Sequence, residues 1–486
     1  MNSHVRSILI VQSFATSLLA GTASAAEQTS AISRSAETEA VLGYEFSPAD
    51  QVLLDEIQRG CFEFLWREVG SPVPLVKDRL TDNQVSSVAG VGFQLSSLPI
   101  GIERGWISRE QGRARAEAIL GALMSQEDNK KHGIYLHYVD LNTGGMHFAE
   151  GPQVQASTID HALLQAGAMT AAVYFGGKVA GLATQLVEDA NWKAYQVQPD
   201  GFISFGWRPA GEAHDLNAPG DFRPWTWHFA SSEEQLVYFL AVGSPREAHA
   251  VEPKMYYRLE RVLKQHQEMK PFVVSWGSPA FTFFFSQCWI DYRSLGADNP
   301  QVFGVDQPAV DWFENSRRAM LTHRQRCLEV SGQFNTLAPN RWGMSPAADI
   351  NDKGEIGYIV QSLRPNVEDK DNFCKGTVTP YAAGSAIMFL PDLAVAALHE
   401  FRHLKNSQGE LVVWRDLKEG GYGLLDSFNL DRQTQQGTPD YLSIDEGPML
   451  LAIENARSGL IWKLFMQHPS AKLAVERLKL LDNAVE

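Results

Sequence analysis

The sequence has little of what disulfide frameworks, metal centres and nucleic-acid binding require. Only four cysteines occur in 486 residues, and none of them forms a CxxC pair or a metal-ligand spacing. Basic residues are also few, because 42 Lys and Arg stand against 57 Asp and Glu, a net charge of −15. This charge argues against nucleic acid and anionic membrane surfaces as partners. It is compatible with a neutral substrate.

Beyond the N-terminus no stretch is long and apolar enough to span a bilayer. Arg6, the short apolar stretch 7–20 and an A-x-A site at 23–25 predict a signal peptide over residues 1–25. The stretch is shorter than the ~20 residues that a membrane span needs. We therefore expect a periplasmic or secreted protein that leaves the membrane after signal removal. Residues 26–46 are predicted as a flexible lead-in and 47–486 as one domain. In that compartment the cysteines could pair or remain buried thiols.

The rest of the chain has mainly helical periodicity, with about a dozen candidate helices and no βαβ alternation. Ser47 with Asp50, and Ser108 with Gln111, have the spacing of capping boxes. Further helices are predicted over 157–175, 233–242, 253–267, 283–292, 311–331, 380–405 and 447–457. In the last of these, Pro448 would occupy the first helical position.

Acids beside aromatic residues are the main functional signal. Glu233 and Glu234 directly follow a cluster that contains Trp225, Trp227 and His228. Carbohydrate sites use flat aromatic faces against sugar rings and carboxyl groups for proton transfer. Glu233 shares a helix face with apolar residues three, four and seven positions later, whereas Glu234 points about 100° away. The pattern predicts that Glu233 is the desolvated acid with the raised pKa. Capping of the helix N-terminus is the alternative.

Two other acidic positions interrupt apolar segments. Asp160 is the only charged residue in the long helix predicted over 157–175. The sequence is equally compatible with two interpretations of this acid, helix capping and a place at the mouth of a cleft. Asp445 and Glu446 immediately precede a Gly-Pro pair at a predicted helix start, and Arg457 lies further along the same helix. Such a cluster in an apolar segment is not typical of a solvated surface.

The run His399-Glu400-Phe401-Arg402-His403 matches the HExxH pattern of zinc peptidases. However, Arg402 lies between the two presumed ligands, and its charge would oppose Zn²⁺ binding. A helix C-terminus rich in cations explains the segment without a metal. We therefore predict neither a metal nor a cofactor.

Several motifs together resemble the glucoamylase-like domain family. They are TIDHALL at 158–164, LAVGSP at 240–245, QCWIDYR at 287–293, DWFENS at 311–316, DSFNL at 426–430, and IDEGP at 444–448 with IWKLF at 461–465. They occur in collinear order over roughly residues 50–480. The family includes bacterial endo-β-1,2-glucanases of glycoside hydrolase family 144. The resemblance implies an all-α (α/α)6 toroid with long loops and minor β-hairpins, and a β-glucan oligo- or polysaccharide as the substrate.

The resemblance also implies roles for individual residues. Glu233 matches the general acid, Asp445 the second acid, and Asp160 the acid of the TIDTALL-like motif. We expect an inverting hydrolase in which Glu233 protonates the leaving oxygen and Asp445, or else Asp160, activates water. The candidates for binding sugar are Trp225, Trp227, His228, Trp289, Arg293, Tyr422, Glu446 and Arg457. Gln155 and the run 283–287 depart from the family pattern. Exo action, transglycosylation and non-catalytic glucan binding therefore remain open, and the oligomeric state is not predicted.

Overall fold

A computed structural model describes residues 32–147, 155–210, 216–351 and 353–481, with Ser232 described by its backbone alone. The predicted signal peptide lies outside the described residues. The helices are α1 Ala36–Leu42, α2 Pro48–Arg67, α3 Val88–Glu103, α4 Arg109–Ser125, α5 Thr158–Phe175, α6 Gly177–Asp189, α7 Ser232–Val242, α8 Lys254–Arg258, α9 Tyr292–Leu295, α10 Trp312–Glu329, α11 Pro380–Ser385, α12 Pro391–His403, α13 Ser443–Ser458, α14 Leu460–Gln467 and α15 Pro469–Leu478.

The strands are short and pair locally. They are β1 Val85–Ser87, β2 Lys130–Lys131, β3 Ile134–Tyr135, β4 Tyr138–Asp140, β5 Ala156–Ser157, β6 Gly206–Pro209, β7 Gly220–Phe222, β8 Leu263–Lys264, β9 Phe272–Val273, β10 Ala347–Ile350, β11 Ile356–Ile359, β12 Trp414–Arg415 and β13 Gly423–Leu424. Every ladder is antiparallel: β5, β6 and β7 form a three-stranded sheet, and the other strands form pairs. The strands therefore decorate a helical body.

The helices form two concentric layers. The inner layer is a ring of helices that are buried on nearly all sides: α3, α5, α7, α11 and α13. The 3-10 turns over residues 280–288 complete this ring. Helices α2, α4, α6, α10, α12 and α15 bury one side against this ring. The predicted (α/α)6 toroid is confirmed.

The inner helices run in the same direction. The fifth residue of α3, Gly92, lies against the sixth of α5, Leu163, so closely that a Cβ on Gly92 would be 2.1 Å from the Leu163 carbonyl oxygen. Likewise Gly90 of α3 lies against Ser443, the first residue of α13. Further along, Gly447 of α13 lies against Phe93 of α3, so the contacts advance in the same order along both helices. These two helices are therefore parallel, and their N-termini lie at one rim of the ring.

Two predicted helices are wrong, and tertiary contacts explain both. Over 253–267 the helix ends at Arg258, after which the chain bridges to Phe229 and forms β8. Over 283–292 the chain forms 3-10 turns. There the carbonyl of Gln287 accepts a hydrogen bond of 2.5 Å from the Trp462 indole, and Asn455 donates to the carbonyl of Cys288. Side chains of the neighbouring helices thus use carbonyls that a continuous helix would need.

Two smaller corrections concern helix boundaries. The predicted helix 380–405 is two helices, because α12 starts afresh at Pro391. Pro448 is not the first residue of α13, which begins five residues earlier at Ser443. The Ser443 amide donates to the Asp78 carbonyl, and this contact fixes the earlier start. Both predicted capping boxes are present, at Ser47 and Ser108.

The described part of the predicted lead-in, residues 32–46, is held against α10. Ile32 bridges to Val310, and Arg34 donates to Asp311 over 3.1 Å. Thr38 is fully buried and donates to the carboxylate of Glu314. Residues 32–38 are therefore attached to the body, whereas most residues of 39–46 are exposed.

All four cysteines are free thiols, of which Cys61, Cys288 and Cys327 are buried and Cys374 is half-buried. Of the two readings that the sequence left open, the structure has unpaired thiols. None of the helices in the described ranges combines the length and the apolar character that crossing a bilayer requires.

Candidate active site

The rim at which the inner helices begin is rich in carboxyl groups. Asp160 lies in the first turn of α5, Glu233 and Glu234 in that of α7, and Asp445 and Glu446 in that of α13. These acids come from distant parts of the chain, and the parallel ring brings them to one end. The positive end of each helix dipole favours acids there, although burial opposes their ionisation.

The two glutamates of α7 differ in their surroundings. Glu234 is 2% exposed, and its carboxyl accepts a hydrogen bond from Ser231, the residue before the helix. Glu233 is partly exposed. Burial raises the pKa of Glu233 well above its usual value, and the neighbouring charges of Glu234 and Asp160 raise it further. Burial also raises the pKa of Glu234, to about 8. Glu233 therefore faces Asp160 as an acid that keeps its proton at neutral pH.

The predicted orientation of these two glutamates needs correction. The raised pKa predicted for Glu233 is present, but Glu234 is the more buried of the pair. From Leu236 onward α7 is buried on every side, so its apolar pattern distinguishes no single face. Glu233 is instead the acid on the cleft side.

Asp160 is 7% exposed, and its carboxyl accepts a hydrogen bond from the Ser157 hydroxyl. The imidazole Nε2 of His137 lies 3.5 Å from its other oxygen. No side chain caps the start of α5. The bond to Ser157 is a contact within the start of the helix, so helix capping and a place at the cleft both stay open for Asp160.

On the opposite side of the rim, Asp445 is paired with Asp426. Both carboxyls are buried and hydrogen-bonded to each other. Asp426 also accepts a hydrogen bond of 2.6 Å from the amide of Ala348 on β10. Asp445 Oδ2 and Asp426 Oδ1 are buried and have no other hydrogen-bond donor in the described structure. A single proton shared by the two carboxyls satisfies both oxygens.

The pair therefore carries one proton over a wide pH range. Burial raises the pKa of Asp426 to about 6. Burial and the adjacent charge of Asp426 raise the pKa of Asp445 well above its usual value. Two carboxyls in contact cannot both ionise easily, so the pair is singly charged at neutral pH. A singly charged pair can accept a proton from water.

Glu446 lies close to this pair, since burial and then the charges of Asp426 and Glu446 raise the pKa of Asp445. It is 3% exposed, its carboxyl accepts a hydrogen bond from the Cys61 thiol of α2, and burial raises its pKa to about 8. Its predicted role in sugar binding stays a prediction, and the buried side chain has little surface for a ligand.

Tyr358 links the two sides of the rim. It lies on β11, and its register partner on β10 is Ala348, the residue whose amide holds Asp426. Burial of its hydroxyl raises its pKa, and so do the nearby charges of Asp445, Asp426 and Glu233. The same phenol group is thus close to Glu233 and to the aspartate pair.

The aromatic cluster before α7 lies beside the start of α5. Trp227 is 8% exposed, stacks on Phe205 with 3.9 Å between ring centroids, and donates from its indole to Thr158. Trp225 is half-buried under the Arg223 guanidinium, and His228 is half-buried. Trp225 and His228 therefore retain exposed surface near Asp160, whereas Trp227 serves mainly in packing.

The other predicted sugar-binding residues lie elsewhere. Trp289 is fully buried and donates to Ser96, so it has no surface for a sugar ring. Tyr422 is 7% exposed, and its hydroxyl donates to Glu68. Arg457 lies twelve residues beyond Asp445 on α13, roughly 18 Å along the helix, and it donates to Asp55 on α2.

Arg293 is also remote from the carboxyl-rich rim. It pairs with Asp291, and its guanidinium stacks on Trp462 at 4.2 Å. Its carbonyl accepts a hydrogen bond from Arg34 of the lead-in. Arg293 therefore belongs to the structural contacts that hold residues 32–46.

The HExxH segment forms the end of α12 on the outer layer. His399 Nε2 is 2.9 Å from Asp50, Glu400 pairs with Arg341, and Arg402 stacks on Trp414. These contacts engage the side chains that zinc chemistry would need. Across the described ranges, no three His, Cys, Asp or Glu side chains converge as metal ligands.

Comparison with known proteins places the chain in a family. Residues 224–469, about half of the sequence, match the model of the Glycoamylase family. The chain belongs to this family. The resemblance predicted from the motifs is confirmed.

A curated relative of this Glycoamylase-family chain is the exo β-1,2-glucooligosaccharide sophorohydrolase (non-reducing end) of Parabacteroides distasonis, which is 24% identical over 477 residues. The alignment covers 92% of this chain, but the chain spans only 61% of the relative. Among solved structures, the endo-β-1,2-glucanase of Chitinophaga pinensis, in complex with sophorotriose and glucose, has a TM-score of 0.72 and 21% identity over 89% of this chain and 98% of that one. A β-1,2-glucanase from Parabacteroides distasonis has a TM-score of 0.71 and 21% identity, over 90% of this chain and 60% of that chain.

Sequence reasoning did not propose Asp426 and Tyr358 as site residues. Asp426 lies in an irregular segment, and Tyr358 lies on a four-residue strand, so neither has a helical periodicity that marks a face. The DSFNL motif was the only signal for Asp426. We identify no signal in the sequence that marks Tyr358 as a site residue.

Proposed function

We propose that this protein is an exported glycoside hydrolase that cleaves β-1,2-glucan with two carboxyl centres. Glu233 is the general acid that protonates the leaving oxygen. The Asp426–Asp445 pair is the general base that takes a proton from the attacking water. The proposal rests on one observation above all: the first turns of α5, α7 and α13 carry carboxyl groups from distant parts of the chain, and burial together with the charges of Glu234 and Asp160 raises the pKa of Glu233.

The protonation states suit this division of roles. A general acid must hold its proton at the working pH, and the raised pKa of Glu233 provides that. A general base must have a negative charge available, and the pair retains one above the pKa of Asp426, about 6. Water attack from the side opposite the leaving group would invert the anomeric carbon. We propose inversion on the strength of the family resemblance.

The choice of β-1,2-glucan is supported by the names of the relatives. The curated relative is an exo-acting sophorohydrolase, and the structural relative from Chitinophaga pinensis is an endo-glucanase. We propose endo action, with exo action or transglycosylation on the same polymer as the alternative. Product sizing separates them, since a ladder of oligosaccharides indicates endo action and release of dimers alone indicates exo action.

The test is hydrolysis of linear β-1,2-glucan by the wild type and by Glu233→Gln. General acid catalysis contributes about 10²–10⁴-fold, so we expect kcat to fall by at least about 100-fold while the melting temperature is maintained. Glu400→Gln is the matched control, because that acid lies on the outer layer and should leave kcat unchanged. Near-wild-type activity of Glu233→Gln would remove this residue from the mechanism. Binding of the glucan by wild type without any product would favour a glucan-binding protein instead.

A further inference from the structure

The hairpin of β10 and β11 places the aromatic side chain of Tyr358 opposite Ala348, the residue whose amide donates to Asp426. Tyr358 is 49% exposed as a residue, one of the largest apolar exposures on the described surface. Burial of its hydroxyl raises the pKa of Tyr358, and the charges of Asp445, Asp426 and Glu233 raise it further. The side chain therefore offers an open ring face at the cleft and a polar tip among the reacting groups.

The position of this ring is fixed by the surrounding structure. Strands β10 and β11 pair through four residues, and Ala348, opposite Tyr358, is held at both its backbone groups. Its amide donates to Asp426 over 2.6 Å, and its carbonyl accepts a hydrogen bond of 2.6 Å from Ser427. Asp349, the next residue on β10, pairs with Arg432. The hairpin is thus attached to the segment that supplies the base.

The phenol has bonding capacity left for a ligand. Within the described ranges the Tyr358 hydroxyl makes no hydrogen bond, although carboxyl groups surround it. A phenol can donate one hydrogen bond and accept another, and a sugar hydroxyl can do both. Aromatic faces also provide large apolar contact area to a ligand at small entropic cost.

We propose that Tyr358 is a substrate-contacting residue of the cleavage point. Its ring stacks on a glucosyl unit, and its hydroxyl bonds a sugar hydroxyl between Glu233 and the Asp426–Asp445 pair. This inference deepens the proposed function and depends on it. The β10–β11 hairpin would then form the side of the site that orients the sugar at the scissile bond.

The variants that test it are Tyr358→Phe, Tyr358→Ala and the control Val360→Ala. Val360 directly follows β11, two residues after Tyr358. It is a suitable control because its side chain is 37% exposed and apolar. Kinetics are measured on linear β-1,2-gluco-oligosaccharides, and glucan binding is measured in a Glu233→Gln background. Melting temperatures verify that each variant is folded.

Loss of the hydroxyl should lower kcat/KM by about three- to ten-fold, the effect of one neutral hydrogen bond. Loss of the ring should lower it by about 10- to 100-fold, mostly through KM, and should weaken binding in parallel. Val360→Ala should stay within about twofold of wild type. An unchanged KM and kcat in Tyr358→Ala, with an active wild type, would overturn this inference and leave the proposed function standing. A wild type that cleaves no β-glucan would overturn both.

Discussion

Replacing Glu446 by glutamine tests the conclusion that this acid is enclosed between α13 and α2. Glu446 is 3% exposed and accepts a hydrogen bond from the Cys61 thiol. Burial raises its pKa from 4.5 to about 8. The folded protein therefore keeps this side chain neutral at a pH where the unfolded chain ionises it. Glutamine has nearly the same shape and stays neutral at every pH.

The sign and size of the effect follow from linkage. Between pH 4.5 and 8 the folded state holds a proton that the unfolded state releases, so wild-type stability falls as the pH rises. At pH 7 the loss from this one group is 7 − 4.5 pH units at 1.36 kcal/mol each, or about 3 kcal/mol. At pH 5 the loss is less than about 1 kcal/mol. The stability advantage of the variant should therefore grow by about 2–3 kcal/mol between pH 5 and pH 7.

Urea unfolding followed by tryptophan fluorescence, with wild type and Glu446→Gln at both pH values, measures this difference. Glu400→Gln is again the control, because a surface acid should show no such growth. Glucan cleavage by Glu446→Gln should remain within about threefold of wild type, since the side chain faces α2. If wild type and Glu446→Gln lost the same free energy of unfolding between pH 5 and pH 7, the raised pKa would be refuted. A large loss of activity would instead return Glu446 to the substrate site.

Two further predictions follow from the site and from the lead-in. The rate of glucan cleavage should rise with pH through about 6, as the Asp426–Asp445 pair gains its negative charge. It should fall only where Glu233 loses its proton, well above the usual carboxyl range. A kcat/KM profile that is flat across pH 5–7 would contradict the paired base. Deleting residues 32–46 should lower the melting temperature, because Asp311 loses the hydrogen bond from Arg34 and the buried Glu314 loses the one from Thr38. Each loss should cost about 1–3 kcal/mol. An unchanged thermal unfolding curve would mean that this segment contributes no stability.

The sequence was sufficient to predict helix starts and buried helices where local contacts decide the structure. The capping boxes at Ser47 and Ser108 involve residues three positions apart, and both are present. The long apolar helix from Thr158 was also predicted closely, since its burial on all sides appears directly as an uncharged run. Local pattern and packing agree in these segments.

Prediction failed where distant side chains decide the backbone or the orientation. Residues 280–288 lack an α-helix because Trp462 and Asn455 bond to their carbonyls. The relative burial of Glu233 and Glu234 was predicted the wrong way round, because α7 is buried all round and its pattern indicates no face. The partnership of Asp426 with Asp445 depends on a hairpin contact at Ala348, to which no spacing in the sequence points.

The common direction of the inner helices divides the molecule into two ends with different tolerances. Residues at the far ends of these helices, such as the turn at Gly176 and Gly177 between α5 and α6, are solvent-accessible and have open space around them. A peptide tag or a surface linker inserted at that turn would leave the carboxyl groups untouched. Immobilisation through this turn would present the working end of every molecule to a soluble polymer.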